Sequence, residues 1–338
     1  MNILILFDFF KLSALKYLHL ILFVIANCFN LLGQVSPYQS GAYLPGISGV
    51  RDLTYPEFEG LTLIDYNLGL WANKLTDHNG DPLKINQVIP GFEDSEISVK
   101  GAGYINSLMI SYTSKPIKFL GNARYMAWIN PSFLTVNVRV KNFSEEDSKV
   151  IVKAGDSGFG DLNIAPLYLS WQGKRLDFTA GYLFSAPTGR YDSNMDDNIG
   201  IGYWSHIFQA AAYYYLAEKS TAFMISPVYE IHSKISDTNV KPGARFALEY
   251  GISQYFTERL EVTLQGGHVW QISEDKGEDV YWNRSYKDQL STIGIGIGFW
   301  AVPNRFYGNL KWSKTYATKQ NFIANALELQ LIFTAPFI

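Results

Sequence analysis

Cysteine is all but absent from this 338-residue chain; Cys28 is the single one, and it lies in a stretch that reads as a removable leader. Neither a disulfide framework nor a cysteine-based metal site is open to the remainder. Charge is scarce too, at 17% Asp, Glu, Lys and Arg against about 25% in soluble domains. The formal net charge of −3 excludes the strongly basic face of a nucleic-acid binder. Long apolar runs are missing beyond the N-terminus, and mean hydropathy is −0.02. A helical membrane protein would show several apolar runs of roughly 20 residues. No low-complexity tract, heptad pattern or fixed-length repeat is present.

The residues that are present alternate. Leu327, Leu329, Leu331 and Phe333 interleave with Glu328, Gln330 and Ile332, and Ile293, Ile295, Ile297 and Phe299 interleave with glycines. Phe246, Leu248, Tyr250 and Ile252 likewise interleave with Arg245, Ala247, Glu249 and Gly251. Period two means a sheet with two unlike faces. The candidate segments run about 10 to 17 residues, longer than the strands of about 5 to 6 usual in globular proteins and enough for a spanning strand of about 9 to 11 tilted residues.

About twelve such segments are predicted: Leu61 to Asn73, Ile97 to Thr113, Phe119 to Lys141, Gly158 to Trp171, Arg175 to Ser185, Gly202 to Leu216, Thr221 to Ser233, Lys241 to Tyr255, Arg259 to Ile272, Gln289 to Ala301, Phe306 to Tyr316, and Phe322 to Thr334. Short turns such as Gln172 to Lys174, Ala217 to Ser220, Phe256 to Arg259 and Pro303 to Arg305 alternate with long polar loops at Asp77 to Glu96, Asn142 to Asp156, Pro187 to Asn198 and Ser273 to Lys287. Tight periplasmic turns facing longer external loops mark an outer-membrane barrel. Aromatics gather near segment ends, as in Tyr213 to Tyr215, Tyr255-Phe256 and Phe299-Trp300, where interfacial girdles belong. The expected fold class is all-β, an up-and-down antiparallel transmembrane β-barrel.

Residues 1–33 read as a signal peptide, with Lys11 and Lys16 ahead of the apolar stretch Tyr17 to Ala26, the n- and h-regions of an export leader. An uncleaved anchor and a lipid-modified Cys28 are the competing readings. Residues 34–60 form an irregular segment with Pro45-Gly46, Gly49 and Pro56, either periplasmic or folded into the lumen as a plug. The barrel takes residues 61–338.

Several signatures have a familiar order: Gly41-Ala42-Tyr43-Leu44-Pro45-Gly46, Asp65-Tyr66-Asn67, Asp77-His78-Asn79-Gly80, Ala186-Pro187-Thr188-Gly189-Arg190-Tyr191, Asn198 through Trp204, and Lys241-Pro242-Gly243. From about Gly41 to Phe333 the chain resembles the phenol meta-pathway degradation proteins, also called SphA-type, a family of outer-membrane barrels. The resemblance implies uptake of small hydrophobic or aromatic molecules, with the degradation chemistry belonging to other proteins. Partners are then outer-membrane lipids, such solutes, and the barrel-assembly and periplasmic chaperone machinery. No cofactor is implied. One departure is the C-terminus, where Pro336 breaks the ladder and the alternation stops at Phe333.

Parity assigns Asp65, Arg124, Arg139, Asp177, Glu230, His232, Arg245, Glu249, Glu261, Lys311 and Glu328 to the lumen, with Asn67, Asn137, Gln265, Asn309 and Gln330 beside them. Opposed charges there brace a narrow interior or form a constriction that filters solutes. Gly294, Gly296 and Gly298 leave room on one wall, and Tyr281, Trp282 and Tyr286 stand ready at the mouth for an aromatic solute.

No Gly-x-Ser-x-Gly elbow or His-x-x-x-His spacing occurs, so catalysis would need a serine brought to His232 or His206 by the fold. Asp192, Asp196 and Asp197 with Asn194 and Asn198 offer oxygen ligands for Ca²⁺ or are a solvated loop. The reading is a passive channel for small hydrophobic or aromatic compounds in the outer membrane of a Gram-negative bacterium. A barrel with a filled lumen acting as a structural or surface protein, or a lipid-modifying enzyme, is the alternative.

Overall fold

Fifteen strands close into one antiparallel barrel in the computed structural model, which describes residues 41–84, 97–144, 147–195 and 197–337, and for 97–99, 139–144 and 147–154 the backbone alone. They are β1 (Gly60–Leu75), β2 (Ile97–Thr113), β3 (Arg124–Asn130), β4 (Ser132–Ser144), β5 (Asp147–Ala154), β6 (Ser157–Phe159), β7 (Leu162–Gln172), β8 (Leu176–Ala186), β9 (Ser205–Leu216), β10 (Thr221–His232), β11 (Arg245–Tyr255), β12 (Leu260–Gln271), β13 (Gln289–Val302), β14 (Phe306–Lys319) and β15 (Phe322–Pro336). β3 and β4 form one stave interrupted at Pro131, and β5, β6 and β7 form another, so the ring has twelve staves. Each consecutive pair is antiparallel, and β1 closes the ring by pairing with both β15 and β2. A spanning sheet must close in this way, because lipid offers its edges no hydrogen bonds.

Burial alternates as the sequence pattern requires. Along β10 and β11, Ile225, Tyr229, Tyr250 and Ile252 are exposed while Ser226, Glu230, Arg245 and Glu249 are buried. The outward row Ile293, Ile295, Ile297 and Phe299 on β13 continues into Leu310 and Trp312 on β14 and Leu327, Leu329 and Phe333 on β15, all exposed. A polar interior inside an oily exterior is the inverse of a soluble fold, and it gives a lipid-facing belt.

Three expectations need correction. Asn142 to Asp156 is not a free loop: β5 pairs with β4 from Val138↔Ala154 to Ser144↔Asp147, so the two strands form a hairpin. Phe119 precedes the third stave instead of starting it. A 3-10 turn, Lys118–Leu120, ends in left-handed Gly121 and makes this periplasmic connection long. The room at the glycines of β13 is also taken. A Cβ at Gly296 would lie 2.6 Å from Thr263 Oγ1, and one at Gly298 would lie 1.9 Å from the Tyr307 hydroxyl, which donates to Glu261.

Gly298→Val should therefore dislodge Tyr307 from Glu261 and cost about 1–3 kcal/mol, as overpacking does. The check is the urea midpoint of the refolded barrel, with Gly308→Ala as a control expected to leave it unchanged.

Candidate functional site: the lumen and the segment inside it

The lumen holds the chain's own residues 41–59. Ala42 N–H donates to Glu230 at 2.7 Å, Gly46 N–H donates to Glu249 at 2.5 Å, and the Tyr43 hydroxyl donates to the same Glu249. Burial, and the Glu249 charge after it, hold the Tyr43 hydroxyl well above its ordinary pKa. Gln265 donates to the carbonyls of Gly46 (3.1 Å) and Ser48 (3.0 Å), and Lys311 donates to that of Ile47. Toward the periplasm the carbonyls of Leu53, Tyr55 and Glu57 accept from Thr179 (3.0 Å), Gln172 (2.6 Å) and Arg124 (2.6 Å). An irregular segment exposes backbone groups that burial would leave unpaired; here the polar wall pairs them.

Two side chains of the segment complete the arrangement. Arg51 donates to Ser253 at 2.6 Å, lies 3.3 Å from Glu261, and reaches the carbonyls of Lys219 and Ser220. Its guanidinium sits 4.9 Å from the Tyr255 ring centroid. Asp52 accepts from Tyr66 at 3.0 Å and from Gln330 at 2.8 Å. Val50, Leu53 and Tyr55 pack against inward residues of β7 to β12, including Tyr168, Ala211, Tyr213 and Val269. A Cβ on Gly251 would come 2.8 Å from Val50, and one on Gly267 would come 3.1 Å from Pro45, so these two glycines give the wall its fit to the segment.

Most of the predicted lumen residues gather around it. Glu230, His232, Arg245, Glu249, Glu261, Lys311, Glu328 and Asp177 are all buried and inward. Arg245 pairs with Asp288 at 2.7 Å, Lys311 with Glu328 at 3.1 Å, and Asp177 accepts from Tyr215 at 2.9 Å. Arg124 sits at the periplasmic end, also donating to Ser114 O at 2.9 Å. The side chain of Arg139 lies outside the described residues, as do residues 1–40. Arg51 and Asp52 were not singled out from sequence, although adjacent opposite charges in a Gly- and Pro-rich segment were a visible sign.

Asp65, Asn67 and Asn137 are corrections, because they face outward. On β1 the inward residues are Thr62, Ile64, Tyr66 and Leu68, all buried. Parity was assigned by putting polar groups inside, but the lumen beside β1 is apolar: Ile64 and Tyr66 form a cluster with Met109 and pack against Ile47. Between residues 44–47 and the walls built by β1, β2, β4 and β13 to β15 lies a cavity of about 290 Å³. Leu68, Leu70, Ile105, Leu134, Val136 and Val138 line one side, Thr292, Ser313, Thr315 and Asn321 the other. Among the described residues, no ionisable side chain lines it.

At the extracellular end the loops pack on one another. Tyr203, Ile235, Val240, Val280 and Trp282 form a buried cluster of their own among the loops. Trp282 is 4% exposed, with its indole N–H donated to Asp275 at 2.8 Å, and Tyr286 stacks on His78 with centroids 3.8 Å apart. Neither is free to meet a solute, while Tyr281 stays exposed. Asp192 and Asp197 serve their own loop, capping Asn194 N–H and pairing with Arg190; Asp196 lies outside the described residues. Among those described, no group of three His, Cys, Asp or Glu side chains could hold a metal.

Ser205 Oγ does lie 2.9 Å from His232 Nδ1, but the Glu230 carboxylate, 3.8 Å away, faces the same nitrogen. A serine–histidine–acid relay needs the serine and the acid on opposite nitrogens. Ser205, His232 and Glu230 are all buried, beneath the ring of Tyr203.

Residues 90–331 match the family model described as "Putative MetA-pathway of phenol degradation". Among solved structures, the chain is similar to an outer membrane channel from Pseudomonas putida F1, at 14% identity and a TM-score of 0.62 over 87% of this chain and 100% of that one. Looser likenesses are the translocator domain of the autotransporter NalP from Neisseria meningitidis (10% identity, TM-score 0.42, 84% and 91% covered) and a Pseudomonas aeruginosa FadL homologue (9%, 0.38, 91% and 98%). No match was found among curated proteins. With a match across most of its length and a closed twelve-stave barrel carrying a lipid-facing belt, the chain belongs to the phenol meta-pathway degradation family and is an outer-membrane β-barrel.

Proposed function

We propose that this barrel is a passive uptake channel for small, uncharged hydrophobic or aromatic solutes, with residues 41–59 restricting its lumen. The observation that carries this reading is the cavity of about 290 Å³, which no ionisable side chain among the described residues lines. Its size is at the lower end of ligand pockets, about 300–1,000 Å³, and fits a single-ring molecule. Apolar side chains on one side and hydroxyl and amide groups on the other suit an apolar body bearing one neutral polar group. An ionised solute would lose its hydration there without a counter-charge. The family's description, phenol degradation, and the channel named in the related structure point the same way.

A second reading, a structural barrel with a filled lumen, is favoured by the close hydrogen bonding of residues 41–59 to the wall. The two readings differ in what happens when the segment is loosened. Truncating one member of a buried ion pair costs about 3–5 kcal/mol, so Arg51→Ala should unseat the periplasmic half of the segment. Single-channel conductance in planar bilayers is then expected to rise, and to rise further on deletion of residues 34–59. Silence from both variants in a folded barrel would overturn the channel reading and leave the structural one.

Filling the cavity tests the solute path separately. Val136→Trp should slow uptake of a neutral phenolic solute into proteoliposomes at least tenfold while leaving the urea midpoint close to wild type. Uptake of an ionised benzoate-type solute should be slow in wild type and variant alike.

A further inference from the structure

We propose that the outward face of β1 and β2 is a contact surface for a second copy of this chain within the membrane. The observation is a hydrogen-bonded polar cluster on the lipid-facing side of the barrel. Asp65 accepts from Asn67 Nδ2 and Asn106 Nδ2, each at 2.8 Å, and Asn67 Oδ1 accepts from Asn106 Nδ2 at 3.1 Å and from the Tyr104 hydroxyl at 2.7 Å. Asp65 is the only carboxylate on the outward face among the strand side chains described.

Its depth makes it costly. Asp65 is paired across the ladders with Leu331 on β15 and Leu108 on β2, and Leu61, Leu63, Ile110 and Phe333 form the belt below it. Five residues separate it from the periplasmic start of β1 and ten from its far end. At about 3.4 Å per residue and the usual barrel tilt, that places it roughly 13 Å inside the belt. Lys314, also outward, lies nearer the extracellular end, opposite Asn325 and Ile293. Polar groups at mid-depth pair with one another or with protein, since acyl chains offer neither donors nor acceptors and headgroups lie at the interfaces.

The cluster's chemistry favours a second copy. It keeps capacity on both sides of the hydrogen-bond ledger: one Asn67 N–H and the Asn106 carbonyl oxygen have no partner in the hydrogen bonds above, and the Asp65 oxygens accept once each. A surface with spare donors and spare acceptors complements itself, as a two-fold contact requires. An axis along the membrane normal, passing between Asp65 and Asn106, sets each carboxylate against the partner copy's amides and keeps the two carboxylates apart. Gly69, outward and just above Asn67, lets the two sheets approach there.

The test uses the full chain with Cys28→Ser, which leaves no other thiol. Cysteine is placed at Asn67 or, as a control across the barrel, at exposed Ile225 on β10. Membranes are treated with a short thiol cross-linker. Asn67→Cys is expected to give a band at twice the chain's mass and Ile225→Cys none. In a chain with Gly69→Cys as the reporter, the pair Asp65→Leu and Asn106→Leu should lower the cross-linked fraction at least tenfold while the barrel stays folded, because leucine is at home on a lipid-facing surface. Equal cross-linking at positions 67 and 225, no dimer at position 67, a product of another mass, or a dimer that survives the leucine pair would each overturn the proposal.

Discussion

Charge buried in the lumen needs close partners, and the way this chain supplies them governs the rest of its architecture. Glu230, Glu249, Glu261, Arg245, Lys311 and Glu328 all point inward from β10 to β15. Some meet each other, as Lys311 meets Glu328 and Arg245 meets Asp288. Glu230, Glu249 and Lys311 also meet backbone groups of residues 41–59, and Glu261 meets the segment's Arg51. Desolvated charges repay their cost only with close partners, and an irregular segment repays its own only when its backbone is paired. Each deficit answers the other, so the wall and the segment stabilise one another.

The interior is consequently asymmetric. Staves β7 to β12 carry hydroxyls, carboxylates and aromatics that grip the segment, while β1, β2 and β4 turn leucine, valine and glycine toward it. The uncharged cavity sits on the second side, where the segment does not fill the ring. Loops pack around Trp282 and through the His78–Tyr286 stack at the external end. Among the described residues, no charged group lines the cavity, although charges crowd the opposite wall.

Much of this was legible beforehand. The alternation in β9 to β15 is regular, because lipid on one side and a polar lumen on the other impose opposite preferences on successive residues, and parity there placed Glu230, Arg245, Glu261 and Lys311 on the inner face. The same rule failed on β1. With Ile64 and Leu68 inward and Asp65 and Asn67 outward, polarity is reversed, and nothing in the strand itself announces this. The reversal follows from Leu44 to Ile47 lying opposite, a contact between residues that a local pattern does not link. The β4–β5 hairpin was missed because Asn142 to Lys149 shows no two-residue alternation of apolar and polar residues to mark a strand.

The seam of the ring lies between β1 and β15, from Gly60↔Pro336 to Leu75↔Phe322, and residues 41–59 run directly into the strand on one side of it. Their wall anchors, from Arg124 to Gln330, come from staves made later in the chain, apart from Tyr66 on β1. A finished ring offers the segment no easy way in, with one end under packed loops and the segment's own C-terminal end fixed to β1 at the other. Enclosure and closure are thus one event: the last strand seals the barrel around a tether already lying within it.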